Sequence, residues 1–381
     1  MNVQKICIIG DGLAGLSSAL VLSQENIKID LYIGSNFKKL KNDDRTTAIS
    51  ESSYQFIKQR FNIKNFSIFW PSKEIKLFYE DNKIINNFLN FKEKKKILMY
   101  IFKNKELKQK LNKLIQKKKN IKLIKKNITS INYVDGNILL KKKKFFYDLI
   151  ILSTGIQSKL YNNISEGRTI EKNYKEIALT ATVTHNTKIN RVSQFFLKEG
   201  PLAILPFNKN TFSVVWSVSN IFFQNKIKFL EKTLREKIKI LPTNLKIKKI
   251  NNIESFPINL NLKTRYYKKN VLILGDGLHA VHPMAGQGFN LVLRDIKKLA
   301  ELMRNILQLG LPLKNSFLLD DFYKARKPEN NIMGLGIDLT NIFFKNHKYF
   351  SPIKRTILNK ISKFTFIKKM SQVLSDKGLI T

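Results

Sequence analysis

The segment GDGLHAVHPMAGQGFNLVLRD, residues 275–295, combines four glycines, two histidines and a proline in one short stretch. It follows an apolar run at 271–274 that has the length of a buried strand. It leads into residues 290–303, where apolar side chains recur at helical spacing. A strand, a glycine-rich turn and a helix start bring free backbone N–H groups and a helix dipole against an anionic or electron-rich ligand. We therefore predict a ligand site here, in which Asp276 accepts hydrogen bonds from ligand hydroxyls.

The N-terminus repeats this order of strand, glycine turn and helix. An apolar strand at 3–10 is followed by GDGLAG at 10–15, a helix through about Gln24 and a second strand at 27–33. This order within about 30 residues is typical of a dinucleotide-binding unit. The first glycine permits the tight turn, the second lets a pyrophosphate approach, and the third lets helix and strand pack closely.

The acidic residue that binds the ribose in such units is missing. By spacing it belongs near position 33, where the sequence has Ile33, and Asp30 comes too early with the opposite strand alternation. Losing a charged hydrogen bond weakens binding by about 1.5–3 kcal/mol. Ser35 and backbone groups are the candidates that compensate for this loss.

Further along the chain, the apolar patterns predict an α/β fold with an inserted β-rich unit. Residues 147–153 form a buried strand, and alternating stretches between 177 and 219 indicate antiparallel strands. A helix is predicted at about 226–239, and the tail at 320–375 is helical in pattern. Because the strand at 271–274 returns to the nucleotide unit, that domain is predicted to be discontinuous. The predicted boundaries are 1–75, 98–172 and 265–325 for the Rossmann-like domain, 76–97 and 173–264 for the mostly antiparallel β substrate domain, and 326–381 for the helical C-terminal region.

Charge and composition limit the function classes. The 381 residues include 69 Lys and Arg against 28 Asp and Glu, a net charge of +41. Such a charge has three possible explanations: binding to nucleic acid, binding to an anionic membrane surface, or compositional drift toward lysine. Only ten of the basic residues are arginine, which nucleic-acid sites favour, so no nucleic acid partner is expected and the other two interpretations stay open. A single cysteine fits a reducing, cytoplasmic setting, and four histidines argue against a histidine metal site.

Four separated motifs point to one family. They are GDGLAG at 10–15, DDRTTAIS at 43–50, the segment at 275–295, and His185 followed by GPLAILP at 200–206. Together they resemble the FAD-dependent aromatic hydroxylases of ubiquinone biosynthesis, within the para-hydroxybenzoate-hydroxylase-like flavoprotein monooxygenases. The D-x-R-x-x-A-hydrophobic-S pattern and the G-D-x-x-H-x-x-H-P-x-A-G-Q-G-x-N-L pattern are characteristic of that family. The resemblance extends from residue 3 to about residue 340.

The resemblance implies an FAD site and gives positions to it. Pro283, Gly286 and Gln287 would lie against the reacting part of the flavin, with no acid or base assigned. Pro206 and Pro283 would contact the substrate. The implied cofactor-binding residues are Gly10, Gly12, Leu13, Ala14, Gly15, Arg45, Thr154, Gly155, Gly275, Asp276, Ala285, Gly286, Gln287, Gly288 and Asn290.

Three side chains near this site have more than one interpretation. The resemblance implies that Arg45 reaches the FAD phosphates, and the alternative is an ion pair with Asp43 or Asp44. His279 and His282 have the chemistry of general bases. In so constrained a turn, we interpret them as holding local hydrogen bonds instead.

The sequence departs from the family pattern at two further positions. After the strand at 147–153 the family carries an Asp-Gly pair whose Asp helps to hold the flavin, and this chain has Thr154-Gly155. Gly277 stands where the family usually has alanine. A threonine hydroxyl can form hydrogen bonds but supplies no charge. A degenerate, non-catalytic FAD-binding member is therefore one alternative.

The resemblance also implies a reaction. NAD(P)H transiently reduces FAD, and the reduced flavin takes O2 to a C4a-hydroperoxide that hydroxylates the ring of a polyprenylated phenol precursor of ubiquinone. The pocket must be dry, because water promotes decay of the oxygenated flavin. The alternatives are a related hydroxylase or reductase that acts on another aromatic or prenyl substrate.

A prenyl tail would partition into lipid, which gives the C-terminal region two interpretations. Its aromatic side chains either pack on the core or lie against a bilayer while lysines face anionic headgroups. We expect a cytoplasmic protein that is soluble or peripheral on the inner membrane face, with other ubiquinone-pathway proteins as partners. The aromatic residues concerned are Phe343, Phe344, Tyr349, Phe350, Phe364 and Phe366.

Overall fold

The computed structural model describes residues 3–34, 43–61, 67–94, 96–133, 135–140, 143–165, 169–187, 191–314, 317–345, 358 and 376–378. Its helices are α1 (Leu13–Leu22), α2 (Glu51–Phe61), α3 (Asn104–Ile115), α4 (Asn162–Ser165), α5 (Asn220–Lys226), α6 (Leu230–Lys239), α7 (Gly288–Gln308) and α8 (Leu318–Lys345). Its strands are β1 (Gln4–Ile9), β2 (Ile27–Ile33), β3 (Thr46–Ser50), β4 (Trp70–Ser72), β5 (Glu74–Asp81), β6 (Ile84–Lys92), β7 (Met99–Lys103), β8 (Ile121–Lys125), β9 (Ile131–Asn132), β10 (Asn137–Leu140), β11 (Lys143–Phe146), β12 (Leu149–Leu152), β13 (Thr169–His185), β14 (Val192–Leu197), β15 (Gly200–Asn208), β16 (Thr211–Ser219), β17 (Ile247–Lys263), β18 (Tyr267–Lys268), β19 (Val271–Ile273) and β20 (His279–Ala280).

A six-stranded sheet in the order β18-β19-β12-β1-β2-β8 forms the nucleotide side of the molecule. All its neighbouring pairs are parallel except β18 with β19. Strands β12 and β19 are buried along their whole length, as parallel strands between helices must be. Ile9 pairs with Leu152, and Leu152 pairs with Ile273, so that β1, β12 and β19 end side by side. The loops that follow them therefore meet at one edge, where ligands bind in open α/β sheets.

An eight-stranded sheet, β20-β17-β13-β16-β15-β14-β5-β6, forms the second layer. Its strands are antiparallel neighbours except for β14 with β5. One face buries Trp216 against α5 and α6, in a core that includes Phe223 and Leu234. The other face places Val192 and Leu205 in a smaller apolar cluster that faces the nucleotide side.

The predicted α/β fold with an antiparallel β-rich unit is confirmed. The ends of most predicted helices and strands differ from the observed ends by a few residues. The predicted helix at 226–239 is interrupted by a short turn at 227–229, and a separate helix, α5, precedes it. Helix α7 extends beyond the predicted 290–303 at both ends. Helix α8 accounts for the first part of the predicted helical tail, while Tyr349, Phe350, Phe364 and Phe366 lie outside the described residues. Within the described ranges, no helix is both long and apolar enough to cross a bilayer.

Candidate active site

A cavity of about 2170 Å³ lies between the carboxyl edge of the six-stranded sheet and the inner face of the eight-stranded sheet. Pockets for one small ligand usually measure about 300–1,000 Å³. This space therefore accommodates a large cofactor together with a second molecule. Its walls are glycine-rich loops at the nucleotide end and apolar strands at the other end.

The glycine turn after β1 forms the first wall of the cavity. Gly10 has a φ of +134°, and a Cβ there would lie 2.2 Å from the Ser153 carbonyl oxygen. A Cβ on Gly15 would lie 2.3 Å from the Gly10 carbonyl oxygen, so both positions require glycine for close packing. Gly12 differs, because its Cβ would meet no protein atom within 4 Å. It caps α1 without a side-chain hydrogen bond, which leaves the helix N-terminus open to the cavity beside Leu13 and Ala14.

The loop after β12 forms the second wall. Gly155 has a φ of +80° and open space where a Cβ would stand. The Ser153 hydroxyl is buried and has no hydrogen-bond partner among the described residues. The backbone N–H and the hydroxyl of Thr154 both donate to the Tyr161 phenol oxygen, at 3.0 and 2.9 Å. Sequence reasoning named Thr154 and Gly155 but missed Ser153 and Tyr161.

Asp276 follows β19 and projects into the cavity between the other two loops. Gly275 before it has a φ of +85°, which a glycine adopts readily. Desolvation raises the pKa of Asp276 above its ordinary value, although His279 and Arg45 oppose the shift. A carboxylate can accept hydrogen bonds from ligand hydroxyls, and the predicted contact of Asp276 with the cofactor stays a prediction.

The turn before α7 forms the wall opposite. Gly286 has a φ of +62° and approaches Ala48 so closely that a Cβ would lie 3.1 Å from the Ala48 methyl. The Gln287 side chain does not cap the backbone at the start of α7, and a Cβ on Gly288 would face open space. A second helix N-terminus therefore opens into the cavity, next to Pro283. Ala285 lies within this turn.

The Asn290 side chain connects two segments that border the cavity. It is fully buried, and its Oδ1 accepts from the Ser50 N–H at 2.9 Å. Its Nδ2 donates to the Gly286 carbonyl at 3.0 Å and to the Ala48 carbonyl at 3.3 Å. Its polar atoms are thus used to tie β3 to the turn before α7. The Asn290 side chain therefore positions this turn, and the predicted contact of the Asn290 backbone with the cofactor stays a prediction.

Arg45 borders the cavity and forms the ion pair that was its alternative interpretation. Its Nε and one terminal nitrogen donate to the two Asp43 carboxylate oxygens at 2.7 and 2.8 Å. Its guanidinium also lies over the Phe256 ring, 4.9 Å from the centroid. Asp44 is not part of the pair and accepts from Asn252. The predicted phosphate contact of Arg45 stays a prediction.

Both histidines of the 275–295 segment are held in buried pairs, as interpreted from the sequence. His279 Nε2 lies 2.6 Å from Asp295 Oδ2, and His282 Nε2 lies 3.0 Å from Glu176 Oε2. His282 Nδ1 also accepts from the Met284 N–H. His279 Nδ1 is buried at the cavity wall with no hydrogen-bond partner in the part of the chain that the structure describes.

The far wall of the cavity is apolar, and Pro206, which was predicted to contact the substrate, is not part of it. Ala203 and Leu205 on β15 line the cavity, whereas Ile204 between them belongs to the core on the other face. Pro206 shares the alternation of Ile204, so it lies on the wrong side of the strand to contact a substrate. Pro283 does line the cavity. Of the strand β15, Ala203 and Leu205 rather than Pro206 therefore face the cavity.

The strand β2, which leads to the expected ribose site, ends in an apolar residue. Ile33 is buried, and Asp30 is occupied by the Tyr147 hydroxyl at 2.7 Å and the Lys5 ammonium at 2.7 Å. Lys126 and Asn127 line the cavity near Gly34, where the ribose contact is expected. Ser35, the predicted compensating residue, lies outside the described residues.

The donor set of the cavity fits FAD. Two helix N-termini without side-chain caps supply N–H groups, and open space lies over Gly12, Gly155 and Gly288. The unpartnered atoms of Ser153 and His279 are buried polar groups at the wall, which native proteins usually satisfy. Uncapped backbone N–H groups at the start of a helix can donate to a pyrophosphate or to an electron-rich ring.

Comparisons with known proteins agree with this fit. Residues 153–311 match the family model described as FAD binding domain. The chain is 24% identical, over 95% of its length and 89% of the other, to the mitochondrial ubiquinone biosynthesis monooxygenase of Dictyostelium discoideum. It is 28% identical to the ubiquinone hydroxylase UbiL of Rhodospirillum rubrum, over 48% of this chain and 43% of that one.

Solved structures show the same fold at lower identity. The probable FAD-dependent monooxygenase PqsL of Pseudomonas aeruginosa is 14% identical with a TM-score of 0.73, over 93% of this chain and all of the other. The p-nitrophenol 4-monooxygenase PnpA of Pseudomonas putida is 14% identical with a TM-score of 0.77, over 99% of each chain. These structures confirm the fold, while the FAD binding domain and the sequence relatives confirm, at low identity, the predicted resemblance and the predicted class of FAD-binding monooxygenase.

Replacing Asp276 with asparagine is expected to weaken FAD binding by about 10- to 100-fold, because hydrogen bonds to a charged acceptor contribute about 1.5–3 kcal/mol. The same change should stabilise the flavin-free protein at neutral pH. The pKa of Asp276 is raised on folding, so the wild type loses stability as pH rises above the ordinary value of 3.8. Fluorescence titration with FAD and thermal unfolding at several pH values test both effects.

The exposed carboxylate of Asp321 on α8 provides the matched control. Asp321→Asn should leave the dissociation constant of FAD within about twofold of wild type. If Asp276→Asn bound FAD as tightly as Asp321→Asn, the assignment of Asp276 would be wrong.

Proposed function

We propose that this FAD-dependent monooxygenase hydroxylates the aromatic ring of a polyprenylated phenol precursor of ubiquinone, with NAD(P)H as reductant and O2 as co-substrate. The observation that carries the proposal is the continuity of the cavity. It runs from the cofactor loops at Gly12 and Asp276 along the apolar strand wall at Ala203 and Leu205. An apolar space next to a flavin site suits a phenol ring that carries a hydrocarbon tail.

Within this proposal, FAD supplies the oxygen chemistry and the protein supplies orientation and dryness. The backbone N–H groups at the start of α7 favour negative charge on the reduced ring. Pro283 and Met284 line the cavity next to this helix start. We assign no side chain as a base, and the Nε2 atoms of His279 and His282 pair with Asp295 and Glu176.

The position of α8 supports a substrate with a lipid tail. Ile332 is 53% exposed and also lines the cavity, and Leu339 is 65% exposed further along the same helix. Together with Leu335 these residues form an uncharged stripe beside the cavity. A prenyl tail that leaves the cavity here would meet the apolar side chains of this stripe. We include in the proposal that this side of the protein contacts an anionic membrane surface, consistent with the net charge of +41.

The direct test uses the purified protein reconstituted with FAD. NADH or NADPH oxidation should accelerate when ortho-farnesylphenol is added, and mass spectrometry should detect a product heavier by one oxygen atom. In a host that lacks a ubiquinone ring hydroxylase, the gene should restore quinone synthesis. Stimulation by a soluble phenol but not by the prenylated one would favour the alternative of a hydroxylase for another aromatic compound. Reduction of the prenyl chain without ring oxygenation would favour the reductase.

Filling the apolar end of the cavity should separate substrate binding from cofactor binding. Ala203→Phe adds a ring where the substrate is expected and should lower product formation more than about 10-fold, since overfilling a packed pocket is costly. FAD affinity should stay within about twofold of wild type. Ile84→Phe is the control, because Ile84 is 64% exposed and lies outside the cavity. Equal product formation by both variants would contradict the assignment of this wall.

A further inference from the structure

Tyr161 connects two loops that border the cofactor end of the cavity, although it matches none of the sequence motifs. The chain leaves β12, passes Gly155, and turns back through a short helical turn at Lys159–Tyr161. Ser158 caps this turn by accepting from the Leu160 N–H at 3.3 Å. As a result, the buried Tyr161 ring returns to the loop from which the chain departed.

The hydrogen bonds between Tyr161 and Thr154 have a defined direction. The Thr154 N–H and the Thr154 hydroxyl both donate to the phenol oxygen, at 3.0 and 2.9 Å. Because its proton is given to Tyr161, the Thr154 oxygen retains only its lone pairs for other partners. Thr154 lines the cavity next to Gly155. It therefore presents an acceptor to the cavity, as a carboxylate would, but without charge.

Gly277 makes this arrangement possible from the other side. A Cβ on Gly277 would lie 2.4 Å from both the Cζ and the hydroxyl oxygen of Tyr161. The ring therefore occupies the space that any larger residue at position 277 would need. Burial raises the pKa of Tyr161 to about 12, although the two hydrogen bonds from Thr154 lower it, and Asp276 adds a smaller upward effect, so that the phenol stays protonated.

We propose that Tyr161 is a cofactor-positioning residue, which takes both donors of Thr154 and thereby turns the Thr154 oxygen into a hydrogen-bond acceptor for the bound FAD. The proposal rests on the proposed function only in that the cofactor is FAD. It accounts for how this chain holds the cofactor with a threonine at the end of β12. It also couples the loop at 153–155 to the loop at 275–277, since Tyr161 contacts both.

The experiment is a fluorescence titration of the flavin-free protein with FAD. Tyr161→Phe keeps the ring and removes the acceptor, and Thr154→Val keeps the volume and removes the hydroxyl. Each should raise the dissociation constant by about 5- to 10-fold, the size of one hydrogen bond. The double variant should lose no more than the larger single loss, because both changes remove one shared interaction. Gly277→Ala should raise the dissociation constant by at least about fivefold through displacement of the ring.

A rescue distinguishes positioning from a purely structural role. Thr154→Asp supplies an acceptor-only group directly, so it should restore FAD affinity in the Tyr161→Phe and Gly277→Ala backgrounds to within about threefold of wild type. A structural defect would not respond to a change at position 154. Tyr133→Phe is the matched control, because Tyr133 is a buried tyrosine that donates to the Leu160 carbonyl and does not contact Thr154. Its affinity for FAD should stay within about twofold of wild type.

The outcomes separate this inference from the proposed function. If the wild type fails to bind FAD, both are overturned. If the wild type binds FAD while Tyr161→Phe binds equally well, the inference alone is overturned. The same holds if the losses of Tyr161→Phe and Thr154→Val multiply in the double variant, or if Thr154→Asp fails to rescue. Should Tyr161→Phe not fold, Thr154→Val and the rescue of Gly277→Ala by Thr154→Asp decide the question.

Discussion

Replacing Gly12 with alanine is expected to abolish tight FAD binding while the protein stays folded. Gly12 has an ordinary backbone conformation, φ −75° and ψ 176°, and its Cβ would meet no protein atom within 4 Å. The added methyl instead stands where the helix N–H groups must approach the pyrophosphate. Because hydrogen bonds to a charged group contribute about 1.5–3 kcal/mol each, we expect a loss of affinity on the order of 100-fold. Circular dichroism and titration with FAD measure the two properties separately.

Two other glycines provide the controls. Gly10→Ala should damage folding itself, because its Cβ would lie 2.2 Å from the Ser153 carbonyl at a φ of +134°. Gly336→Ala should leave FAD binding unchanged, since it lies in α8 at the far side of the cavity with open space for a Cβ. If a folded Gly12→Ala protein bound FAD tightly, the assignment of the pyrophosphate to this turn would be wrong.

Replacing Asp295 with asparagine is expected to lower the free energy of unfolding by about 3–5 kcal/mol, the range for breaking a buried ion pair. Asp295 is fully buried and accepts from Arg326 at 2.7 Å and from His279 at 2.6 Å. Removing its charge leaves Arg326 buried with its remaining partners, Glu329 and Asn330. Urea unfolding of the flavin-free protein measures the loss.

The pH dependence of stability gives an independent check on Asp295. Burial alone would raise its pKa, but Arg326 and His279 hold the pKa below its ordinary value of 3.8. A carboxyl with a lowered pKa stabilises the folded state above that ordinary value and loses this contribution as pH falls further. The asparagine variant should therefore lose less stability than the wild type below about pH 4.

The control for Asp295 is the exposed pair of Lys298 and Glu301. Glu301→Gln should change the free energy of unfolding by less than about 1 kcal/mol, because exposed ion pairs contribute little. A similar small loss in Asp295→Asn would mean that the buried network does not hold α7, α8 and the 275–295 turn together.

Sequence patterns predicted the parts of the site that depend on local backbone geometry. The turn at 10–15 and the segment at 275–295 carry their glycines at fixed spacing. Each glycine is required by the backbone conformation or the helix start of its own segment. The strand ends of β1, β12 and β19 were also predicted, since buried parallel strands read as apolar runs. These features place Gly12, Thr154 and Asp276 at one cavity.

The parts that were missed depend on contacts between distant segments. Tyr161 has no motif, and only the folded loop shows that it accepts from Thr154. Asn290 lies inside a recognisable motif, yet its bonds to Ser50 and Ala48 arise from β3, about 240 residues earlier. Pro206 was misplaced because a strand's alternation cannot be assigned to a face until its neighbours are known. The departures from the family pattern at Thr154 and Gly277 were visible in the sequence. The sequence did not show that one tyrosine contacts both positions.

The most direct test of the account is the fate of oxygen. The FAD-loaded protein is supplied with NAD(P)H, isotopically labelled dioxygen and ortho-farnesylphenol, and the phenol is recovered for mass spectrometry. The account predicts one labelled oxygen atom on the aromatic ring, and less than about a tenth of that product from Ala203→Phe. Consumption of NAD(P)H that yields only hydrogen peroxide, with the phenol unlabelled, would contradict it.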